Sequence, residues 1–381
     1  MAYQIIITLI LCLFLANLIL NMVSLKKPRH ENLPGPAPLV SILIPARNEE
    51  NNIRPCLESL LKQDYPNFEI IVLDDSSTDA TPLIVSGMAN TDNRIRLLQG
   101  KSLPKGWTGK SFACFQAARE AHGEWLLFVD ADTRHESDML ARIIPFAVNS
   151  GVSLLSGFPH QITTSLIQKI TVPMMYFVLM CWAPFWWLHR SKRLPPSVAY
   201  GAFLLFDAQA YWNIGGHEAV KSRILEDVWL GVEISRHGGR HMAVDLSEVV
   251  SCHMYHDAGS IWEGFTKWMY SVSAISTPAL VLLIVIGYTT LLAPFYWLCK
   301  AFWVMQDPPA WAILTLLQVL LLFAMRYIVD RRFGESHLSF LLYPLSIIFL
   351  IAVVIYGMVR QLTGAGVSWK NRVYGKASDI D

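Results

Sequence analysis

Two carboxylates leave the end of an apolar run one residue apart in this chain: Leu126-Leu127-Phe128-Val129 is followed at once by Asp130-Ala131-Asp132. A hard divalent cation takes oxygen ligands and commonly shares them between carboxylates and phosphate oxygens. Asp130 and Asp132 are therefore candidate ligands for Mg2+ or Mn2+ beside a diphosphate. A D-x-D pair alone is a weak signal, since a solvated acidic turn reads the same way; its position behind a buried run gives it weight. Two other polar clusters share that position. Pro45-Ala46-Arg47-Asn48-Glu49 closes the apolar run that begins at Leu39, and Asp74-Asp75-Ser76-Ser77-Thr78-Asp79 closes the run 68–73. Within the second cluster Thr78 or Asp79 suits a helix cap, while Asp75 is left to accept from a nucleobase N–H.

Lys105-Gly106-Trp107-Thr108-Gly109-Lys110 opens a helical stretch reaching Ala121. Glycines let backbone approach a ligand, helix N-termini favour anions, and Lys110 adds a point charge suited to a diphosphate. The spacing is not that of a P-loop, and an exposed Lys on a Gly-rich loop is an equal reading. Glu226-Asp227 begin a helical run to Ser235. Acids in a first turn are favourable with the helix dipole whatever they do, yet Asp227 could also take the proton from an attacking hydroxyl. His253 and His256 come after the strand-like stretch 249–252. Either could complete a metal shell, although a lone histidine is more often structural. Lys267-Trp268 come next, in a helix leading to an apolar region.

The elements that must position these groups alternate. Short apolar runs at 39–45, 68–73, 95–98 and 125–129 are separated by stretches of helical spacing such as 53–61, and 201–206 reads as a further strand. That order implies an α/β domain on a mainly parallel, Rossmann-like sheet, in which ligands gather outside the carboxyl ends of the strands. No G-x-G-x-x-G comes after the first strand, which argues against a dinucleotide-dependent dehydrogenase.

Of the 381 residues 53% are hydrophobic, and the excess gathers at the two ends. The run 5–23 is long enough to span a bilayer, lacks a cleavage site, and is followed by Lys26, Lys27 and Arg29. It reads as an uncleaved anchor with the next domain in the cytoplasm. Three more apolar runs lie at 279–299, 310–329 and 339–359. The tail (Arg360, Lys370, Arg372, Lys376) is as basic as the Arg331-Arg332 loop, so the charge rule leaves its side open. The Met-, Phe- and Trp-rich run 170–188 reads as an in-plane helix, with Trp182, Trp186 and Trp187 at headgroup depth and Arg190, Lys192 and Arg193 just beyond. The expected organisation is an anchor at 1–25, a catalytic domain at 38–272 with an interfacial segment at 168–190, a membrane region of about three segments at 275–360, and a basic tail at 361–381. The six cysteines are scattered without zinc spacing, as in a reducing compartment. A net charge of +1 offers no general attraction to nucleic acid.

Taken in order, Pro45-Ala46-Arg47-Asn48-Glu49, Asp75, Gly109-Lys110, Asp130-Ala131-Asp132 and Glu226-Asp227 resemble family 2 glycosyltransferases of GT-A fold, over about residues 40–268. Leu103-Pro104-Lys105-Gly106-Trp107-Thr108-Gly109-Lys110 and Trp369-Lys370-Asn371-Arg372-Val373-Tyr374 look like its membrane-bound branch, which includes 4,4'-diaponeurosporenoate glycosyltransferases and relatives of ceramide glucosyltransferases. The resemblance implies a nucleotide-sugar donor, a lipid acceptor such as a carotenoid, and a divalent metal. It assigns uracil to Asp75 and the metal to Asp132; the residues themselves add Pro45, Arg47, Glu49, Lys110 and Asp130 as donor-side candidates, and Asp130 and His253 as further candidate metal ligands. Asp227, with Glu226, becomes the base, and Lys267 and Trp268 fall on the acceptor side. One departure stands out: Gly264-Phe265-Thr266-Lys267-Trp268 replaces the (Q/R)-x-x-R-W of processive and ceramide-type members. This weakens the alternative of a processive polysaccharide synthase; a catalytically silent membrane scaffold on the same fold is the other alternative.

Overall fold

The computed structural model describes residues 1–188, 199–223, 225–273, 277–304, 308–363, 365, 367–369 and 372–374. Arg190, Lys192 and Arg193, and Lys370, Asn371 and Lys376 of the tail, lie outside the described residues. The chain forms two units. One comprises residues 25–162 and 185–254, the other residues 1–24, 163–184 and 255–381.

The first unit is built on ten strands: β1 Val40–Ala46, β2 Phe68–Asp74, β3 Ile95–Gln99, β4 Trp125–Val129, β5 Thr133–His135, β6 Leu154–Phe158, β7 His160–Gln161, β8 Phe203–Asp207, β9 His241–Asp245 and β10 Val250–Cys252. Seven of them form one sheet in the order β3-β2-β1-β4-β8-β6-β9. Only β8 runs against the others. The period of two in the apolar runs explains the layering. Ile42, Ile44, Ile70, Val72, Leu127 and Val129 point to one face, under the helices Ile53–Leu61 and Met139–Ser150. Leu43, Ile71, Leu73, Leu126 and Phe128 point to the other, under Gly109–Arg119 and Glu226–Arg236. Fully burying such a side chain contributes roughly 1.5–3 kcal/mol, so strands covered on both faces read as continuous apolar runs. The mainly parallel sheet expected from the alternation is the one observed.

Two details fix the working end of this sheet. Ala46 O accepts from the Asp75 N–H at 2.8 Å, so Ala46 turns its backbone groups toward β2 and the nitrogen of Pro45 faces the β4 side. There the β1–β4 pairing has already ended at Leu43 with Phe128, and the missing N–H interrupts no ladder bond. Strand β8, entering antiparallel, begins with Phe203 opposite Val129, the last residue of β4. Residues just before β8 are thereby delivered to the carboxyl end of β4. A smaller sheet in the order β5-β10-β7 lies just past the D-x-D segment and pairs Cys252 with Thr133.

At the carboxyl end of β9, the last strand of the sheet order, the stretch after the N-terminal helix is strapped to this unit. Lys26 O accepts from the Asp245 N–H at 2.8 Å, and Lys27 Nζ lies 2.8 Å from Glu248 and 3.7 Å from Asp245. The basic flank read from the sequence as a topological signal is thus also a clasp.

Under helix Gly109–Arg119, Tyr211 and His217 form a fully buried pair, with Tyr211 Oη 2.8 Å from His217 Nδ1. Burial and the nearby Lys110 push His217 down to about 3. The unfolded chain takes up a proton below its ordinary value of 6.5 that the folded chain excludes. Stability is then lost as pH falls from about 6.5 toward 3, at about 1.4 kcal/mol per pH unit for this group. Denaturation midpoints measured down this range should decline, and His217→Gln should lessen the slope.

The second unit is helical. Among the described residues four of its helices are long and apolar enough to cross a bilayer: Ala2–Ser24, Val281–Ala301, Pro309–Phe333 and Tyr343–Leu362. Several polar residues inside them find partners within the unit. Asn17 Nδ2 donates to Cys181 O at 2.9 Å, and Asn21 Nδ2 donates to Met180 O at 2.8 Å and Ala183 O at 2.7 Å. They cap the end of helix Pro173–Trp182, whose last carbonyls have no helical partners. Gln318 Nε2 donates to Gln4 Oε1 at 2.7 Å. The run 170–188 breaks into Leu166–Thr171 and Pro173–Trp182, with Pro173 starting the second piece, and Phe185–Leu188 after Pro184 is counted with the first unit. Helix Ala258–Ser273, which carries Lys267 and Trp268, packs on Tyr343–Leu362 through Trp262 with Phe349 and Tyr356. His256 also belongs to this unit.

Candidate active site

The loops leaving β1 and β2 are knitted into one surface. Asn48 and Ser76 both take positive φ (53° and 57°), turning the two chains toward each other. Asn48 Oδ1 accepts from the Thr78 N–H at 2.8 Å, and Ser77 Oγ accepts from the Asn48 N–H at 3.0 Å. The Glu49 N–H donates to Thr81 Oγ1 at 2.8 Å, while the buried Glu49 carboxylate takes Asn52 Nδ2 at 2.8 Å. Asp79 accepts from Thr81 N–H and Oγ1 at 3.0 and 2.6 Å, ordering the start of helix Thr81–Ala89. Burial raises the Asp79 carboxyl, but these donors outweigh it and hold it below its ordinary value. Arg47 Nη1 donates to Asp75 O at 2.8 Å and stands 3.9 Å from its carboxylate. Arg47 and Glu49 therefore brace the segment that presents Asp75.

At the end of β4 the two acids of the D-x-D segment diverge. Asp130 meets Lys110, Nζ to Oδ1 2.6 Å, and the same ammonium lies 3.6 Å from Glu226 and 3.4 Å from the Gly201 carbonyl. Burial works against the Lys110 charge, but Asp130 and Glu226 overcome it and hold the lysine well above its usual value. Lys110 is oriented by the N-terminal turn of its helix, where Thr108 Oγ1 accepts from the Ser111 N–H at 3.3 Å. Asp132 turns toward the small sheet. Its carbonyl takes the His253 N–H at 2.9 Å, and its carboxylate takes the Cys252 thiol at 3.6 Å. Burial, then Asp132, pushes that thiol well above its ordinary value, so it remains a donor. Thr133 Oγ1 donates to Asp130 O at 2.7 Å, pinning the turn between the acids.

Asp227 closes the arrangement. Its Oδ1 accepts from the Val228 N–H at 2.8 Å at the start of helix Glu226–Arg236, and its other oxygen faces Gly201. A Cβ at Gly201 would lie 3.0 Å from that oxygen and 3.4 Å from Lys110 Nζ. Gly201→Ala should displace the Asp227 carboxylate by a few tenths of an ångström. Turnover is expected to drop roughly tenfold with little change in thermal stability, measured by steady-state kinetics beside a melting curve.

The Lys110 ammonium thus joins Asp130, Glu226 and the Gly201 carbonyl, Asp227 stands against Gly201, and Asp132 turns to Cys252 and His253. Asp75, Arg47, Pro45 and Glu49 stand at the ends of the neighbouring strands. Lys267 and Trp268 belong to the helical unit. Gly201 and Cys252 carried no signal in the sequence: each matters only through the groups that pack against it.

Carboxylate oxygens are the donors a hard cation takes, and Asp130 and Asp132 supply them. Among the described residues no three His, Cys, Asp or Glu side chains gather closely enough to hold an ion alone. Such a set fits a cation whose shell is completed by phosphate oxygens.

Residues 41–208 match the family described as Glycosyl transferase family 2. A 4,4'-diaponeurosporenoate glycosyltransferase of Staphylococcus aureus (strain MRSA252) is 27% identical over 344 residues, covering 88% of each chain. The enzyme of that name from strain USA300 gives the same figures. A solved structure of mannosyltransferase PcManGT from Pyrobaculum calidifontis, in complex with GDP-Man and Mn2+, superposes with a TM-score of 0.57 at 20% identity. It covers 94% of this chain and 98% of that one. That likeness extends to the fold, a GT-A sheet accompanied by apolar helices.

Proposed function

From a chain that carries a glycosyl transferase family 2 domain over residues 41–208, we propose an inverting transfer of a hexose from a UDP-sugar to a membrane lipid such as a carotenoid or other isoprenoid. The observation that carries this reading is the Lys110 bridge. One ammonium joins Asp130, an acid suited to a metal–diphosphate, to Glu226, the neighbour of an acid suited to proton removal.

In this reading Asp75 accepts from the nucleobase, with Arg47, Pro45 and Glu49 shaping its loop. Asp132 and Asp130 would hold Mg2+ or Mn2+ together with the diphosphate, and His253 is a further candidate ligand. When bound, the ion supplies positive charge that offsets the charge developing on the leaving nucleotide. Lys110 adds its charge on the same side. Asp227 receives the proton of the acceptor hydroxyl as its oxygen bonds to the sugar carbon, and the bonding pair of the breaking C–O bond leaves on the diphosphate. One displacement inverts the anomeric centre. A carboxylic acid acceptor is already ionised at neutral pH, leaving Asp227 to position it. Lys267 and Trp268 are proposed for acceptor selection.

The lipid acceptor is supported by the four apolar helices and by the carotenoid acid in the relatives' name. The basic residues after the first helix favour a catalytic unit on the cytoplasmic side of the cell membrane, and the Trp-rich pieces within 168–190 favour a position at the interface. Mass spectrometry of lipids from cells with and without the gene is the direct test. A lipid heavier by one hexosyl residue, absent from cells making Asp132→Ala, is the expected result. Long polymer formed from the donor alone would point to a processive synthase, and an unchanged lipid profile to a scaffold.

A further inference from the structure

The loop 101–106 has no part in the proposed chemistry, yet it is built like a probe. Lys101, Ser102, Leu103, Pro104, Lys105 and Gly106 are all exposed, with Leu103 leaving 39% of its surface to solvent. Its root, in contrast, is held. The Trp107 N–H donates to Pro104 O at 3.3 Å, and the Thr108 N–H to Lys221 O at 2.7 Å. The Trp107 ring packs edge-on to Phe112 and tilted on Phe115, each at 5.2 Å between centroids. Phe115 in turn meets Trp212 at 6.2 Å, and Trp212 is 42% exposed.

The same surface is cationic. Lys101 and Lys105 stand on the loop, and exposed Lys221 and Arg223 come after the turn Gly216–Val220 to which the loop is bonded. Across these segments, 101–107 and 208–223, exposed Glu218 is the one opposing carboxylate. An aliphatic tip and a Trp ring flanked by four cations have the composition that partitions into an anionic headgroup layer: the apolar groups enter the acyl boundary and the cations meet lipid phosphates. Among the described residues four helices are long and apolar enough to cross a bilayer, which makes a lipid layer the occupant to test.

We propose that loop 101–106, with Trp212, is an interfacial finger that docks on the anionic surface of the bilayer. The finger leads directly into the helix whose first turn carries Lys110, so docking fixes the site-bearing helix relative to the lipid surface. Docking of this kind does not depend on the acceptor's identity.

The test uses the full chain with the two exposed cysteines, Cys12 and Cys299, changed to Ser. Leu103→Cys is labelled with an environment-sensitive dye and the protein placed in nanodiscs of phosphatidylcholine, with or without phosphatidylglycerol. Blue-shifted emission, quenched by brominated acyl chains and strengthened by phosphatidylglycerol, is the expected result. Each cation near such a surface favours insertion roughly fivefold, so Lys101→Glu with Lys221→Glu should cut the inserted population roughly 25-fold or more. Transfer to a detergent-dispersed acceptor should be unaltered by the same changes, so a failed function assignment would not be mistaken for a failed docking one. Emission identical in both lipids and in detergent would overturn the proposal, as would charge reversals without effect. A shift seen only when soluble protein is added would overturn it in favour of a protein partner.

Discussion

Asp227→Asn should lower turnover on a hydroxyl acceptor by roughly a hundredfold to ten-thousandfold, the range over which a positioned general base acts. The substitution keeps the shape of the side chain and its bond from the Val228 N–H, made through Oδ1 at 2.8 Å. It removes the ability to take a proton. Donor affinity should hardly change, because the proposed donor-binding groups come from other segments. The informative comparison is between acceptors. With a carboxylic acid acceptor there is no proton to remove, and the loss should shrink to the cost of misplacement. Equal losses on both would show that Asp227 is not the base. Glu226 is a poor substitute because Lys110, 3.6 Å away, already engages it and it is largely buried.

Asp132→Ala should be about as damaging for a different reason. If its carboxylate holds the metal–diphosphate, several kcal/mol of charge stabilisation disappear with it, a loss of a hundredfold or more at 1.4 kcal/mol per factor of ten. A binding readout separates this from a structural effect. The melting temperature of the unaltered protein should rise with UDP and Mn2+ together more than with UDP alone, by the linkage between ligand binding and folding. The Asp132→Ala protein should lose that extra increment and keep the part due to UDP. Cys252→Ala is the control, since the Cys252 thiol touches Asp132 at 3.6 Å and would be stranded by the first change. If Cys252→Ala abolished the increment equally, the acid would be acting through the small sheet rather than on the metal.

Much of the candidate site was legible because it is local. A strand buried on both faces is a short run of apolar residues, and the residues just past its carboxyl end lie by construction at one edge of the sheet. Asp75 and the Asp130–Asp132 pair could be placed at that edge before any coordinates, as could Asp227 at a helix start. The four described helices long enough to cross a bilayer were visible as runs of apolar sequence. Less legible were the polar residues inside them. Asn17 and Asn21, polar residues in the first apolar run, hold the carbonyl end of Pro173–Trp182. A residue's sequence neighbours do not reveal a partner so far along the chain.

Composition, periodicity and the order of acidic clusters were enough to determine the layering of the sheet, the edge at which the acidic clusters gather and the position of the long apolar helices. These are properties of residues close together in sequence, where strand period and helix spacing act directly. Tertiary structure alone decided that Lys110 would pair with Asp130 and reach Glu226, that Cys252 would face Asp132, and that a glycine would stand against Asp227. Each of those contacts depends on β8 entering antiparallel beside β4 or on β10 pairing with β5. Register between strands distant in sequence is set by how the whole core packs, and no local pattern encodes it.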